Sequence, residues 1–77
     1  MIVSELHNGH LLYWRVEISS DSWRTSYDDI IIWCTEQFGP MIHRMPERNE
    51  RRWTNFRNVF LFSNKDDLIW FLLRWKE

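Results

Sequence analysis

The side chains best suited to chemistry lie in a basic segment, residues 41–57. This segment carries five Arg and two Glu, a net charge of +3 in a chain whose overall net charge is −1. Arginine makes planar, two-pronged contacts with phosphate, and aromatic rings stack on exposed bases. The segment therefore suggests a nucleic-acid surface, and its candidate residues are Arg48, Arg51, Arg52, Trp53 and Arg57.

Two other interpretations of the basic segment stay open. Its arginines can pair with Glu47, Glu50 and acids of the preceding helix, which would make it a solvated loop. Alternatively, its arginines and Trp53 would meet an acidic protein partner. A dedicated nucleic-acid-binding domain usually shows a clear basic excess, whereas this chain has a pI near 6.3. Nucleic-acid binding is therefore the alternative function rather than the first.

The residues that ligate metals or catalyse reactions do not form a familiar pattern. The candidate metal ligands fit no structural zinc spacing: His7, His10, His43 and Cys34. The Asp pairs at 28–29 and 66–67 suit helix N-termini, and adjacent helical residues diverge by about 100°. Since no nucleophile–base arrangement is visible either, we predict no metal, no cofactor and no enzymatic activity.

Composition indicates one small domain covering residues 1–77. Hydrophobic residues make up 44% of the chain and aromatic residues 17%, including six Trp. A domain this short buries little surface, and large rings compensate for that. One Cys cannot build a disulfide framework, no signal peptide is recognised, and the longest apolar runs are too short to cross a bilayer. We therefore expect a cytoplasmic protein with no membrane association.

The first half of the chain predicts a β-hairpin followed by a helix. Asn8-Gly9 is a strong hairpin signal within residues 1–18. Alternation in residues 11–18 predicts a second strand with one buried face, formed by Leu12, Trp14, Val16 and Ile18. Apolar residues then recur at three- and four-residue steps, which predicts a helix over 21–38 that ends at Gly39-Pro40.

The second half predicts a strand over 55–62 and a helix over 64–75. Phe56, Asn58, Phe60 and Phe62 would share one face of the strand, and Ser63 would cap the helix. The predicted fold is α+β, a two-layer ββαβα arrangement with a three-stranded sheet and two helices on one face. The third strand would run parallel to the second, with the first strand allowed between them. In a competing interpretation, 71–75 forms a fourth strand.

Two helices carry apolar residues that a two-layer core cannot cover. Ile32 points away from the apolar stripe of the first helix, and Trp70 and Leu73 point away from that of the second. We predict a partner-binding patch that contains Trp70, Leu73, Arg74 and Ile32, with the Trp53 loop as a second surface. The alternatives are that Ile32 is an ordinary exposed residue, that Trp70 covers a core edge, or that the second helix forms a homodimer.

Four short aromatic motifs carry a resemblance to a known group of proteins. They are Trp33-Cys34, Phe38-Gly39, Phe60-Leu61-Phe62 and Phe71-Leu72-Leu73-Arg74-Trp75. Together they resemble small early-gene proteins of tailed bacteriophages, of the T4-like and cyanophage type, over residues 30–77. The resemblance implies a viral accessory protein that binds and modulates, for instance inhibits, a host enzyme, a defence protein or the replication machinery. It carries over no functional residues.

Overall fold

The computed structural model describes residues 1–9, 11–44, 46, 50 and 52–75, and these residues form six helices and strands. The four strands form one antiparallel sheet in the order β1-β2-β4-β3, so the predicted α+β class is confirmed. The prediction of three strands is wrong, because residues 55–62 do not form one strand. The elements are β1 (Ile2–Asn8), β2 (Leu11–Glu17), α1 (Ser20–Phe38), β3 (Trp53–Phe56), β4 (Val59–Phe62) and α2 (Lys65–Trp75).

A tight turn splits the predicted third strand into the β3–β4 hairpin. Arg57 has a left-handed φ of 55°, and the Asn55 side-chain amide donates hydrogen bonds to the carbonyls of Arg57 (2.8 Å) and Val59 (3.0 Å). Phe56 pairs with Val59 and is 70% exposed, whereas Phe60 is fully buried. The prediction that Phe56 shares the buried face of Phe60 is therefore wrong.

The strand order also differs from the expectation. β4 is antiparallel to both β2 and β3. The β3 part of the predicted third strand therefore runs parallel to β2, whereas the β4 part, which pairs with β2, runs antiparallel to it. β4 lies between β2 and β3, and β1 lies at the edge of the sheet beyond β2. The suggestion that the first strand lies between the second and third is therefore wrong.

Both helices form close to their predicted positions. α1 ends at Phe38, and Gly39 follows with a φ of 86°, a conformation that glycine adopts without strain. α2 is helical through residues 71–75, so the competing strand interpretation is wrong. Its N-cap is Asn64, whose Oδ1 accepts a hydrogen bond from the Asp66 amide at 2.8 Å. The predicted cap, Ser63, instead uses its hydroxyl to accept a hydrogen bond from the Arg52 amide.

The core lies between the two helices and one face of the sheet. Phe71 of α2 lies 5.3 Å, ring centroid to centroid, from both Phe60 and Phe62 of β4. Trp33 of α1 contacts Trp75 of α2, whereas Gln37, later in α1, contacts Trp70, earlier in α2, so the two helices are antiparallel neighbours. The sheet, α1 and α2 all contribute to the buried cluster: Val16, Ile18, Ile30, Cys34, Trp53, Phe60, Phe62, Leu68 and Phe71.

The segment that follows α1 covers part of the other sheet face. The buried Tyr13 hydroxyl donates a hydrogen bond to the carbonyl of Pro46, which is itself buried. The Ile42 amide donates to the Trp53 carbonyl at 3.2 Å, and the Thr54 hydroxyl donates to the Ile42 carbonyl at 2.7 Å. These bonds hold the segment against the edge of β3. None of the helices in the described part of the chain is long and apolar enough to span a membrane.

Candidate protein-interaction site

One side of α2 presents large apolar side chains to solvent. Ile69 is 45% exposed, Trp70 51% and Leu73 74%, and we call these three residues the α2 outer face. Residues four apart on a helix are neighbours, so Ile69 and Leu73 lie one above the other, with Trp70 beside them. Phe71, on the opposite side, is fully buried. The helix is thus apolar on both sides, as the sequence predicted.

Trp70 is exposed but not free. Its indole Nε1 donates a hydrogen bond to Oε1 of Gln37, on α1, at 3.1 Å. The ring forms one wall of an open cleft of about 450 Å³ where α1 ends and α2 begins, lined also by Gln37, Phe38, Asp66 and Asp67. A ring held in this way loses little conformational entropy when a partner covers it.

Charged side chains border the α2 outer face at both ends of the helix. The Arg74 guanidinium lies 4.1 Å from the centroid of the Trp75 ring, which fixes a positive charge in the last turn. In the first turn of α2, Lys65 Nζ lies 5.4 Å from the centroid of the Trp14 ring, which belongs to β2. The neighbouring Asp66 is exposed. An apolar centre with a charged rim is the usual anatomy of a protein interface.

Ile32 lies on a different surface. It is 56% exposed on α1, but by the helical period it lies about 140° around the axis from Gln37, the residue that meets Trp70. Ile32 therefore faces away from the α2 outer face. A single exposed apolar residue is ordinary on a protein surface, which favours the simpler of the two interpretations for this position.

Trp53, which the sequence suggested as a contact residue, is a core residue. Its side chain is fully buried, and its ring stacks on Phe60 with the centroids 6.3 Å apart. Its indole Nε1 donates a hydrogen bond to the Gly39 carbonyl at 2.9 Å, which ties β3 to the end of α1. This placement argues against a contact between Trp53 and either a protein or a nucleic acid.

The structure describes only two of the remaining residues of the nucleic-acid alternative, Arg52 and Arg57. Arg48 and Arg51 lie outside the described residues. Arg57 is exposed, whereas Arg52 is only partly so. Arg44 makes a two-pronged ion pair with Glu50, with both N–O distances at 2.7 Å. A neighbouring carboxylate therefore neutralises part of the basic charge, in line with the solvated-loop interpretation.

A second apolar surface, which sequence reasoning missed, lies on the face of the sheet opposite the helices, beside the part that the segment after α1 covers. An open groove of about 600 Å³ runs beside Phe56 and is lined by Leu6, Arg15, Val59 and Leu61. The Arg57 guanidinium lies 5.8 Å from the Phe56 ring. No signal in the sequence identified this groove, because it depends on the two-residue turn between β3 and β4.

The groups that could support catalysis or metal binding remain dispersed. Among the described residues, no three His, Cys, Asp or Glu side chains are placed to hold one metal ion. Cys34 is fully buried, and burial raises the pKa of its thiol to about 12. A neutral, enclosed thiol is a poor nucleophile.

Comparison with known protein families, curated proteins and solved structures gives no match to this chain. The likeness to phage early-gene proteins therefore stays a prediction from the sequence, and the geometry of the site carries the functional argument.

Proposed function

We propose that this chain is a non-enzymatic binding module that attaches to another protein through the α2 outer face and modulates it. The observation that supports this proposal is the exposure of Ile69, Trp70 and Leu73 on one side of a helix whose other side is already buried. Fully burying a large apolar side chain contributes roughly 1.5–3 kcal/mol. Three such side chains, one of them a hydrogen-bonded tryptophan, are an adequate centre for a small interface.

The spacing and charge of the α2 outer face support a proposal for the partner surface. Ile69, Trp70 and Leu73 follow the spacing of a helix that lies in an apolar groove of its partner. The partner would offer a pocket for the Trp70 ring and a carboxylate within reach of Arg74, whose guanidinium is held beside Trp75. The proposed partner is therefore a protein with an apolar groove and an acidic rim.

The biological setting is proposed from the phage resemblance alone. A module of this size would act in the host cytoplasm by covering a functional surface of its partner. The proposed partners are a host enzyme, a defence protein or a component of the replication machinery. Occlusion requires only a rigid anchor and needs no catalytic group.

Capture from an extract of the native host tests the proposal. The wild-type chain is compared with Leu73→Ser, which removes the most exposed residue of the α2 outer face, and with Phe56→Ser as the matched control. Phe56 has a similar exposure, but it lies on the face of the sheet opposite the helices. We expect a specific retained protein to be lost with Leu73→Ser and kept with Phe56→Ser. Equal retention by all three would contradict the proposal.

A further inference from the structure

The outer edge of the sheet at β1 is open to another strand. β1 is seven residues long, and in the described part of the chain only β2 pairs with it. Its register with β2 runs without interruption from Ile2 to Asn8, so no bulge twists the edge away. It contains no Pro and no Lys, the residues that commonly protect such edges. An edge of this kind is a template for strand addition.

The opposite edge of the sheet is protected. β3 is only four residues long, and the segment after α1 bonds along it, through the Ile42 amide to Trp53 and the Thr54 hydroxyl to Ile42. The β1 edge is therefore longer than the β3 edge, and the segment after α1 bonds only to β3 among the two edge strands of the described chain. Among the residues that the structure describes, β1 is therefore the edge that is open to strand addition.

The side chains of β1 determine which register a second copy of this strand would adopt at that edge. Glu5 and His7 lie on the same face of the strand, with Glu5 Oε2 3.3 Å from His7 Nε2, and both side chains are exposed. Two antiparallel copies of β1 can be centred on Ser4, Glu5 or Leu6. Centring on Glu5 places two carboxylates opposite each other, and centring on Ser4 pairs Glu5 with Val3. Only centring on Leu6 places Glu5 of each copy opposite His7 of the other copy, which gives two such pairs.

We propose that β1 pairs antiparallel with β1 of a second copy of this chain, with the two Leu6 residues opposite each other on the two-fold axis. The result is one continuous eight-stranded sheet, made of two copies of the four-stranded sheet, with all helices on the same side. Each Glu5 meets a His7 across the new strand pair, and the Leu6 side chains meet on the face opposite the helices. A hydrogen bond between the Glu5 carboxylate and the His7 ring and an apolar pair across the strands both stabilise such a ladder.

The dimer uses a different surface from the α2 outer face, so the two proposals fail separately. β1 lies at the sheet edge, while Ile69, Trp70 and Leu73 lie on α2. Leu73→Ser would leave the dimer intact, and a change in β1 would leave the capture of another protein intact. Dimerisation through α2 instead would show the reverse dependence and would overturn this inference.

Disulfide trapping reads out the register directly. Residues opposite each other in the ladder are close enough for a disulfide, so Leu6→Cys is expected to cross-link into a dimer under mild oxidation. Ser4→Cys, on the same face of the strand, is the matched control. In the Leu6-centred register the two Ser4 positions lie about 13 Å apart along the strands, which is too far for a disulfide. The native Cys34 is fully buried and does not compete.

The expected result is a covalent dimer from Leu6→Cys and a monomer from Ser4→Cys. Cross-linking of Ser4→Cys instead of Leu6→Cys would overturn the proposal, because the Glu5–His7 pairing that supports it would be absent. Sedimentation of the unmodified chain up to about 1 mM gives the second readout, since this range detects even a millimolar dissociation constant. A monomer at every concentration would also overturn the proposal.

Charge exchange tests why this register is favoured. His7→Glu brings like charges together across the strand pair and is expected to raise the dissociation constant about fivefold. The double variant Glu5→Lys with His7→Glu places opposite charges across the strand pair and is expected to restore the dimer. Both positions are exposed, so the monomer should unfold at nearly the same temperature in each variant. Failure of the double variant to recover the affinity would overturn the role of these two residues.

Discussion

The Trp70 indole donates a hydrogen bond to the Gln37 side chain at 3.1 Å, and this contact joins the outer side of α2 to the end of α1. The ring remains 51% exposed, so the bond positions it without burying it. The contact therefore fixes the orientation of the ring and leaves about half of its surface in solvent.

The first prediction separates the α2 outer face from the core on the same helix. Leu73→Ser should change the free energy of unfolding by no more than about 0.5 kcal/mol, because Leu73 is mostly solvated. Phe71→Ala, two residues away, should cost about 3–5 kcal/mol, because Phe71 is fully buried against Phe60 and Phe62. Urea unfolding of both variants measures the difference. Equal losses would contradict the assignment of the two sides.

The second prediction concerns the segment after α1 that covers the second sheet face. Tyr13→Phe removes the hydroxyl that donates to the buried Pro46 carbonyl, and it should destabilise the fold by about 1–3 kcal/mol. Tyr27→Phe is the control. Tyr27 donates to Asn55 at 3.2 Å at a half-buried position, so its loss should cost about 1 kcal/mol or less. Unfolding curves compare the two, and a larger loss for Tyr27→Phe would refute this ranking.

The third prediction tests Trp53 as a structural residue. Trp53→Phe leaves the Gly39 carbonyl without its indole donor and leaves space in the core, and we expect it to destabilise the fold by at least about 2 kcal/mol. Trp23→Phe removes the same atoms from a ring whose Nε1 has no partner among the described residues. Trp23→Phe should therefore lower the free energy of unfolding less than Trp53→Phe does. Thermal unfolding provides the test, and a Trp53→Phe variant as stable as the wild type would refute it.

The sequence predicted the parts of the fold that depend on local pattern. The hairpin at Asn8-Gly9, the end of α1 at Gly39 and the helix through Trp75 are all present. Each of these features depends on residues close together in the sequence, either the residue types of a turn or the 3.6-residue period of a helix. The exposure of Trp70 and Leu73 also followed from the helical period.

The features that sequence reasoning missed depend on contacts between distant residues. Arg57 adopts a left-handed conformation without glycine, held in part by the Asn55 amide, so the β3–β4 turn had no recognised signal. The burial of Trp53 depends on a bond to Gly39, fourteen residues earlier. The open edge at β1 depends on β4 pairing with β2, which cannot be known before the strand order.

The fourth prediction concerns the buried Cys34 and pH. Burial raises the pKa of its thiol to about 12 from an ordinary 9.0, so between these values the unfolded chain loses a proton that the folded chain keeps. Stability should therefore fall as pH rises through this range, by up to about 1.4 kcal/mol per pH unit from this group. Unfolding measured at pH 8 and pH 10 checks the sign. Cys34→Ala should reduce the slope, and an unchanged slope would refute the attribution to this thiol.

The central claim is that the α2 outer face contacts another protein, and site-specific photo-crosslinking tests it most directly. A benzophenone side chain replaces Leu73 in one variant and Phe56 in another, and both are irradiated in an extract of the native host. The account predicts one discrete covalent adduct with another protein from position 73 and none of that mass from position 56. Adducts of the same mass from both positions, or from position 56 alone, would contradict it.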